Sequence, residues 1–341
     1  MATAITTSKS NAGFSLIELM IGMLLGILLM AGAASIYLGS KRSFTEVEQV
    51  ATLSDNGRFA LKLMTDSLRH IGFSGQVFGN TITSDPSLTA IPNDCTGLAG
   101  AYNLNTLMFA VNSAGGGNVF GCITDAKANT DVLVVKHVVA FPLNDANPDD
   151  PNAPRDNVIN FPDPIDPTKT YIMTNHAIGI LFDGADTAPS IETGGAVPRG
   201  TAWEYLFEVF YIRDPGAGGA PQLARKFLDW DGMQMVINDE DLVPGAEDMR
   251  LQFGFDSNAD GDVDSYSNVA GITDWSRVSS VEAFVLVRNA AQDLQYTDGK
   301  TYQLGNGVTI TPDPNEVNYR RTVMHTRVSL RNMKLVIRGG V

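Results

Sequence analysis

The hydrophobic positions of the chain fall into three regimes. Over residues 14–38 they are almost continuous, FSLIELMIGMLLGILLMAGAASIYL, with Glu18 the one charged side chain. As a helix this run is about 37 Å long, enough to cross a hydrocarbon core of about 30 Å. Past Ser40 the apolar spacing opens to three and four residues, at Val47, Val50, Leu53, Gly57, Leu61, Met64, Leu68 and Ile71. Glu46, Glu48, Asp55, Arg58, Lys62 and Asp66 fill the gaps. That is the period of a helix with one buried face, so the helix is expected to continue to about His70, roughly 85 Å from its start. Gly72 and Gly75, in IGFSG, supply its stop.

The third regime is that of strands and turns. Apolar, β-branched or aromatic runs predict strands at 106–111, 132–141, 177–182, 203–212, 222–228, 248–255, 278–288, 322–330 and 333–338, the eighth with a possible helical start. DPGAGGAP, between Tyr211 and Gln222, predicts a hairpin. Residues 141–167, rich in Pro and Asp, predict a surface loop, and 290–318 a second long polar insertion. No internal repeat or linker divides the remainder. The expected fold is α+β: a long N-terminal helix, half transmembrane and half amphipathic, packed on a mainly antiparallel β-sheet head.

Charge and composition narrow the function. Lys+Arg number 24 against 38 Asp+Glu, a net charge of −14, which argues against nucleic acid as a partner. Four His and two Cys leave little material for a zinc site. His70, His137, His176 and His325 lie in unrelated segments, and no GxSxG, HExxH or phosphate-cradling glycine loop appears, so no enzyme is expected. If the head is translocated into an oxidising compartment, Cys95 and Cys122 are expected to form a disulfide. Asp256, Asn258, Asp260, Gly261, Asp262 and Asp264 follow an EF-hand-like count of 1, 3, 5, 6, 7 and 9, which makes a Ca²⁺ site one reading. Position 12 is Ser267 instead of Glu, and the flanks read as strand, so a solvated Asp/Asn/Gly turn is the other reading. No other cofactor is expected.

The N-terminus decides between a cleaved secretory signal and a retained helix. The apolar run is too long for the first, and small residues precede it, at Ala12 and Gly13, instead of following it. A carboxylate near the start of a membrane helix, Glu18, points to a function. Gly13-Phe-Ser-Leu-Ile-Glu-Leu-Met20, after a polar leader with Lys9 its only charged side chain, resembles the class III signal of type IV prepilins. The resemblance implies that a prepilin peptidase cleaves between Gly13 and Phe14 on the cytoplasmic side and methylates the Phe14 amine. It also implies that Glu18 of one subunit neutralises the amine of a neighbour in apolar surroundings. The parts are then a leader at 1–13, a transmembrane and filament-core helix at 14–38, an amphipathic continuation at 39–71, and a periplasmic head at 72–341. Lys41 and Arg42 follow the helix, so counting positive charges does not itself favour this orientation.

Four further segments resemble the PilW-type minor pilins of type IV pilus assembly. They are LRHIGFSG at 68–75, AEDMRLQFGF at 246–255, VSSVEAFVLVRNA at 278–290 and YRRTVMHTRVSLRN at 319–332. This likeness implies a pilin-like subunit, not an enzyme, that primes the filament and sits at its tip. Its partners would be other minor pilins, the major pilin and the inner-membrane assembly machinery. Two rivals carry the same signal or anchor: a J-type pseudopilin of type II secretion, and a membrane-anchored calcium-dependent adhesin or binding module.

Overall fold

A computed structural model describes residues 13–77, 81–216, 219–305 and 307–339. The leader residues 1–12, Lys9 among them, lie outside the described residues. The chain divides into two units, residues 1–51 and 52–341. Helix α1 spans Leu16–His70. In the first unit its side chains are almost all exposed. In the second, Leu53, Leu61, Met64 and Leu68 are buried at the spacing the sequence predicts. Fully burying side chains of this size contributes about 1.5–3 kcal/mol each. Gly57 permits the close approach: a Cβ there would lie 2.6 Å from Met324 Cγ. The helix stops at Gly72, whose φ of +80° suits glycine and where a Cβ would lie 2.8 Å from the Met333 amide nitrogen.

Among the described residues, ten strands form the larger sheet: β1 Ile82–Ser84, β2 Met108–Asn112, β3 Gly117–Val119, β4 Ile123–Ala126, β5 Asp131–Leu143, β6 Thr170–Thr174, β7 Gly179–Asp183, β8 Thr201–Arg213, β9 Gln222–Trp230 and β10 Met235–Pro244. The second sheet runs β12-β11-β13-β16, all antiparallel, with β11 Ala246–Phe255, β12 Ser265–Asn268, β13 Val278–Arg288 and β16 Arg321–Ser329. Between the last two, β14 Tyr302–Gln303 and β15 Thr309–Ile310 form a small hairpin. Helix α2, Arg331–Gly339, follows β16. The fold is α+β and pilin-like, a long N-terminal helix and a mainly antiparallel head.

The larger sheet is buried on both faces at its centre, which is why its strands read as unbroken apolar runs. Leu133 and Val135 of β5, with Phe210 and Ile212 of β8, share a core with α1 and the second sheet. Val132 and Val134, with Val209 and Tyr211, face a second core closed by Ala99, Ala101 and Ile123. A third, smaller core joins Tyr171, Met173 and Phe182 to Ile159, Ile191 and Val197 of the long loops.

One sequence expectation needs correction and two gain detail. The expected strand at 333–338 is helix α2; Met333 and Ile337 are its buried pair, four apart, a helical repeat. The segment 322–330 has no helical start but lies in β16, antiparallel to β13. The polar insertion 290–318 also carries a small apolar anchor, since Tyr302 and Leu304 bury against Leu286. The DPGAGGAP turn does join an antiparallel pair, with Ile212 opposite Leu223.

Candidate functional site

The N-terminal segment is built by its own local chemistry. Gly13, Phe14 and Ser15 precede the helix and are exposed, Phe14 at 88%. Ser15 stands at the N-cap and Glu18 at the third helical position. The Ser15 amide donates to Glu18 Oε2 at 3.2 Å, one half of a capping box. A carboxylate here also meets the positive end of the helix dipole. Glu18 therefore has a role inside its own chain, one that its membrane-placed charge alone did not reveal. Around and beyond it, Leu16, Ile17, Leu24, Ile27, Leu28 and Ile36 are exposed. Gly22 and Gly26 lie open, with nothing within 4 Å of a Cβ at either. Among the described residues, α1 is the one helix long and apolar enough to cross a membrane.

In the head, Cys95 and Cys122 form a disulfide. With Asp94 and Lys136 it fixes the loop that closes the second core. Asp94 Oδ1 accepts from the amides of Cys95 (2.7 Å) and Ala101 (3.0 Å). Lys136, fully buried on β5, donates to the carbonyls of Leu98 (2.7 Å) and Asn103 (2.5 Å). Burial pushes the Lys136 ammonium down to about 7, with Asp94 opposing the shift. The disulfide closes a span of 27 residues, for which the chain-entropy argument gives about 3.6 kcal/mol. Cys95→Ser with Cys122→Ser is expected to lower head stability by about 2–4 kcal/mol in denaturant unfolding of the detergent-solubilised protein. A midpoint equal to that of the unchanged protein would contradict this.

The aspartate-rich loop is occupied by its own hydrogen bonds. Asp256 is buried and accepts from the amides of Ala259 (2.7 Å) and Gly261 (2.6 Å). Asp264 accepts from the amide and the hydroxyl of Ser257, which hold its carboxyl below the usual range. Asn258 accepts from the Asp260 amide, and Asp260 from that of Asp262. Two cations of α2 face the loop: Arg338 donates to the Asp260 carbonyl at 2.5 Å, and Lys334 Nζ stands 4.0 Å from Asp262. Among the described residues, no group of three or more His, Cys, Asp or Glu is placed to hold a metal ion.

The sequence hid a buried charge cluster within YRRT. The Arg321 guanidinium is fully buried and donates to Glu247 Oε2 at 2.6 Å and to the carbonyls of Glu316 (3.0 Å) and Tyr319 (3.2 Å). It also lies 3.4 Å from Asp298 Oδ2, which accepts from the Tyr302 hydroxyl at 2.8 Å. One side chain thus ties the start of β11, the 290–318 insertion and β16 together. Hydrogen bonds to Glu247 and Asp298 raise the Arg321 pKa against its burial. Glu208 on β8 is a second such centre: it is buried, paired with Arg225, and 3.4 Å from His137 Nε2. Its partners hold its carboxyl below the usual range although burial opposes them.

Residues 209–332 match the family model of type IV pilus-assembly protein W, and residues 8–34 match that of the prokaryotic N-terminal methylation motif. The pair is that of a PilW-type minor pilin. No curated protein and no solved structure matches the chain. The PilW match runs from the middle of β8 into α2, so it contains the Arg321 cluster and the aspartate-rich loop. The methylation motif contains Gly13, Phe14 and Glu18. Pilins of the PilW family are structural proteins, not enzymes. The prepilin signal and the apolar helix are those of a subunit anchored in the inner membrane and associated with a pilus. The disulfide, Lys136 and the loops between β5 and β8 lie outside both matched segments.

Proposed function

We propose that this minor pilin is cut between Gly13 and Phe14, methylated on the Phe14 amine, and then primes assembly of a type IV pilus, taking a place at its tip. One observation carries this reading: the apolar side chains of the first unit are exposed from Phe14 to Val50. Each large side chain left in water instead of buried forgoes about 1.5–3 kcal/mol, so this surface requires lipid or the helices of other subunits. The bilayer supplies the first before assembly, and other minor pilins and the major pilin supply the second within the filament. The prepilin peptidase and the inner-membrane assembly machinery act on the chain between these states. The head lies in the periplasm, where the Cys95–Cys122 bond forms.

Priming is tested by deletion in the native cell. Surface pili are expected to be lost or greatly reduced, and to return with the gene, while sheared pili of the parent strain contain the protein in trace amounts. Normal piliation without it would reject priming.

A further inference from the structure

The loops that leave β5 and enter β8 enclose a polar concavity of about 240 Å³. They lie outside both matched segments, and they are anchored, with Ile159, Ile191 and Val197 buried in the third core. Five Lys and Arg residues occur between residues 81 and 201. Lys127 donates to the Glu247 carbonyl, Lys136 to those of Leu98 and Asn103, and Lys169 to Glu204. The side chains of the other two, Arg155 and Arg199, have no hydrogen-bond or ion-pair partner among the described residues, and both residues line this concavity.

The placement of Arg199 is built into the backbone. Its φ of +56° is a left-handed conformation that a non-glycine residue keeps only where its surroundings impose it. The imposing bonds are Arg199 N–H to the Ile191 carbonyl (2.8 Å) and Gly200 N–H to that of Val197 (2.9 Å). Gly200 is buried, and a Cβ there would lie 2.8 Å from Met173 Cγ. The lining also includes Asn144, Asn157, Thr193 and Thr201, neutral residues whose side chains donate and accept. Asp145 is the one carboxylate in the lining, and its Oδ1 accepts from the Asp156 amide at 3.1 Å.

We propose that this concavity binds an anionic sugar, one uronic-acid-type residue of an acidic polysaccharide. The sugar carboxylate meets Arg155 and Arg199, whose planar forks match it, and the ring hydroxyls meet the Asn and Thr side chains. The volume is below the roughly 300 Å³ at which sites for drug-sized ligands begin, and it suits a single ring. A bound peptide strand is disfavoured, because the Asn144 backbone is already paired with Phe161 and Asn160 and offers no free edge. The chain's net charge of −14 supplies no long-range attraction, so recognition is local.

The test is equilibrium titration of the full-length protein in detergent with glucuronate, glucose, acetate and a glutamate-containing tripeptide. Arg155→Gln and Arg199→Asn are compared, the second chosen because Asn tolerates the left-handed conformation. Glucuronate is expected to bind in the millimolar range, with the other three probes and both variants about tenfold weaker or more. Unfolding midpoints should not change, as both arginines are exposed. Equal binding of acetate, of glucose or of the peptide overturns the proposal, as does equal binding by the variants or no binding of glucuronate.

Discussion

Glu18→Val is expected to leave membrane insertion intact and to abolish incorporation into pili. The substitution makes the apolar run longer, so retention in the bilayer is favoured. What it removes is the charge proposed to meet the methylated amine of a neighbour. Leaving one member of a buried ion pair alone costs about 3–5 kcal/mol, roughly two to four orders of magnitude in an association constant. It also removes the acceptor of the Ser15 amide, a cap worth about 1 kcal/mol. The two losses are separable. Glu18→Gln keeps an acceptor for Ser15 and drops the charge, since glutamine also serves in capping boxes. If charge pairing governs assembly, Gln fails as Val does; if the cap governs it, Gln assembles. Recovery of each variant in sheared pili decides the matter. Undiminished incorporation of Val would remove both roles.

Arg321→Ala is expected to destabilise the head by about 3–5 kcal/mol, because Glu247 and Asp298 stay buried without their cation. Against a typical domain stability of about 5–15 kcal/mol, this is a large fraction. Arg321→Lys keeps the charge but loses the planar fork that reaches two carboxylates and two carbonyls, so an intermediate loss is expected. Denaturant unfolding of the full-length protein in detergent measures both. An Ala variant within about 0.5 kcal/mol of the parent would show that the cluster is not what holds the 290–318 insertion to the head.

The two predictions mark where the sequence was and was not legible. The helix was readable because one periodicity, from Leu53 to Ile71, answers to one continuous buried face. β5 and β8 were readable because burial on both faces makes them apolar throughout. β10 was not, since NDED reads as a loop; it is an edge strand paired only with β9, and its acidic side chains point to solvent or to Arg213 and Arg225. α2 was misread because in a nine-residue helix so few buried positions do not distinguish a step of four from alternation. Arg321 shows the same limit for chemistry. Its partners are 74 and 23 positions away, and nothing local in YRRT marks the cation as buried. The N-terminal methylation motif was legible because it is a pattern of linear sequence, whereas Glu18's cap became visible only with the Ser15 geometry.

The central claim, that the chain matures as a type IV pilin, is tested most directly at its N-terminus. Intact mass and N-terminal sequencing of the protein from native membranes should find residues 14–341, beginning with an N-methylated Phe14. A chain that begins at Met1, or one cut after the apolar run, would contradict the pilin pathway.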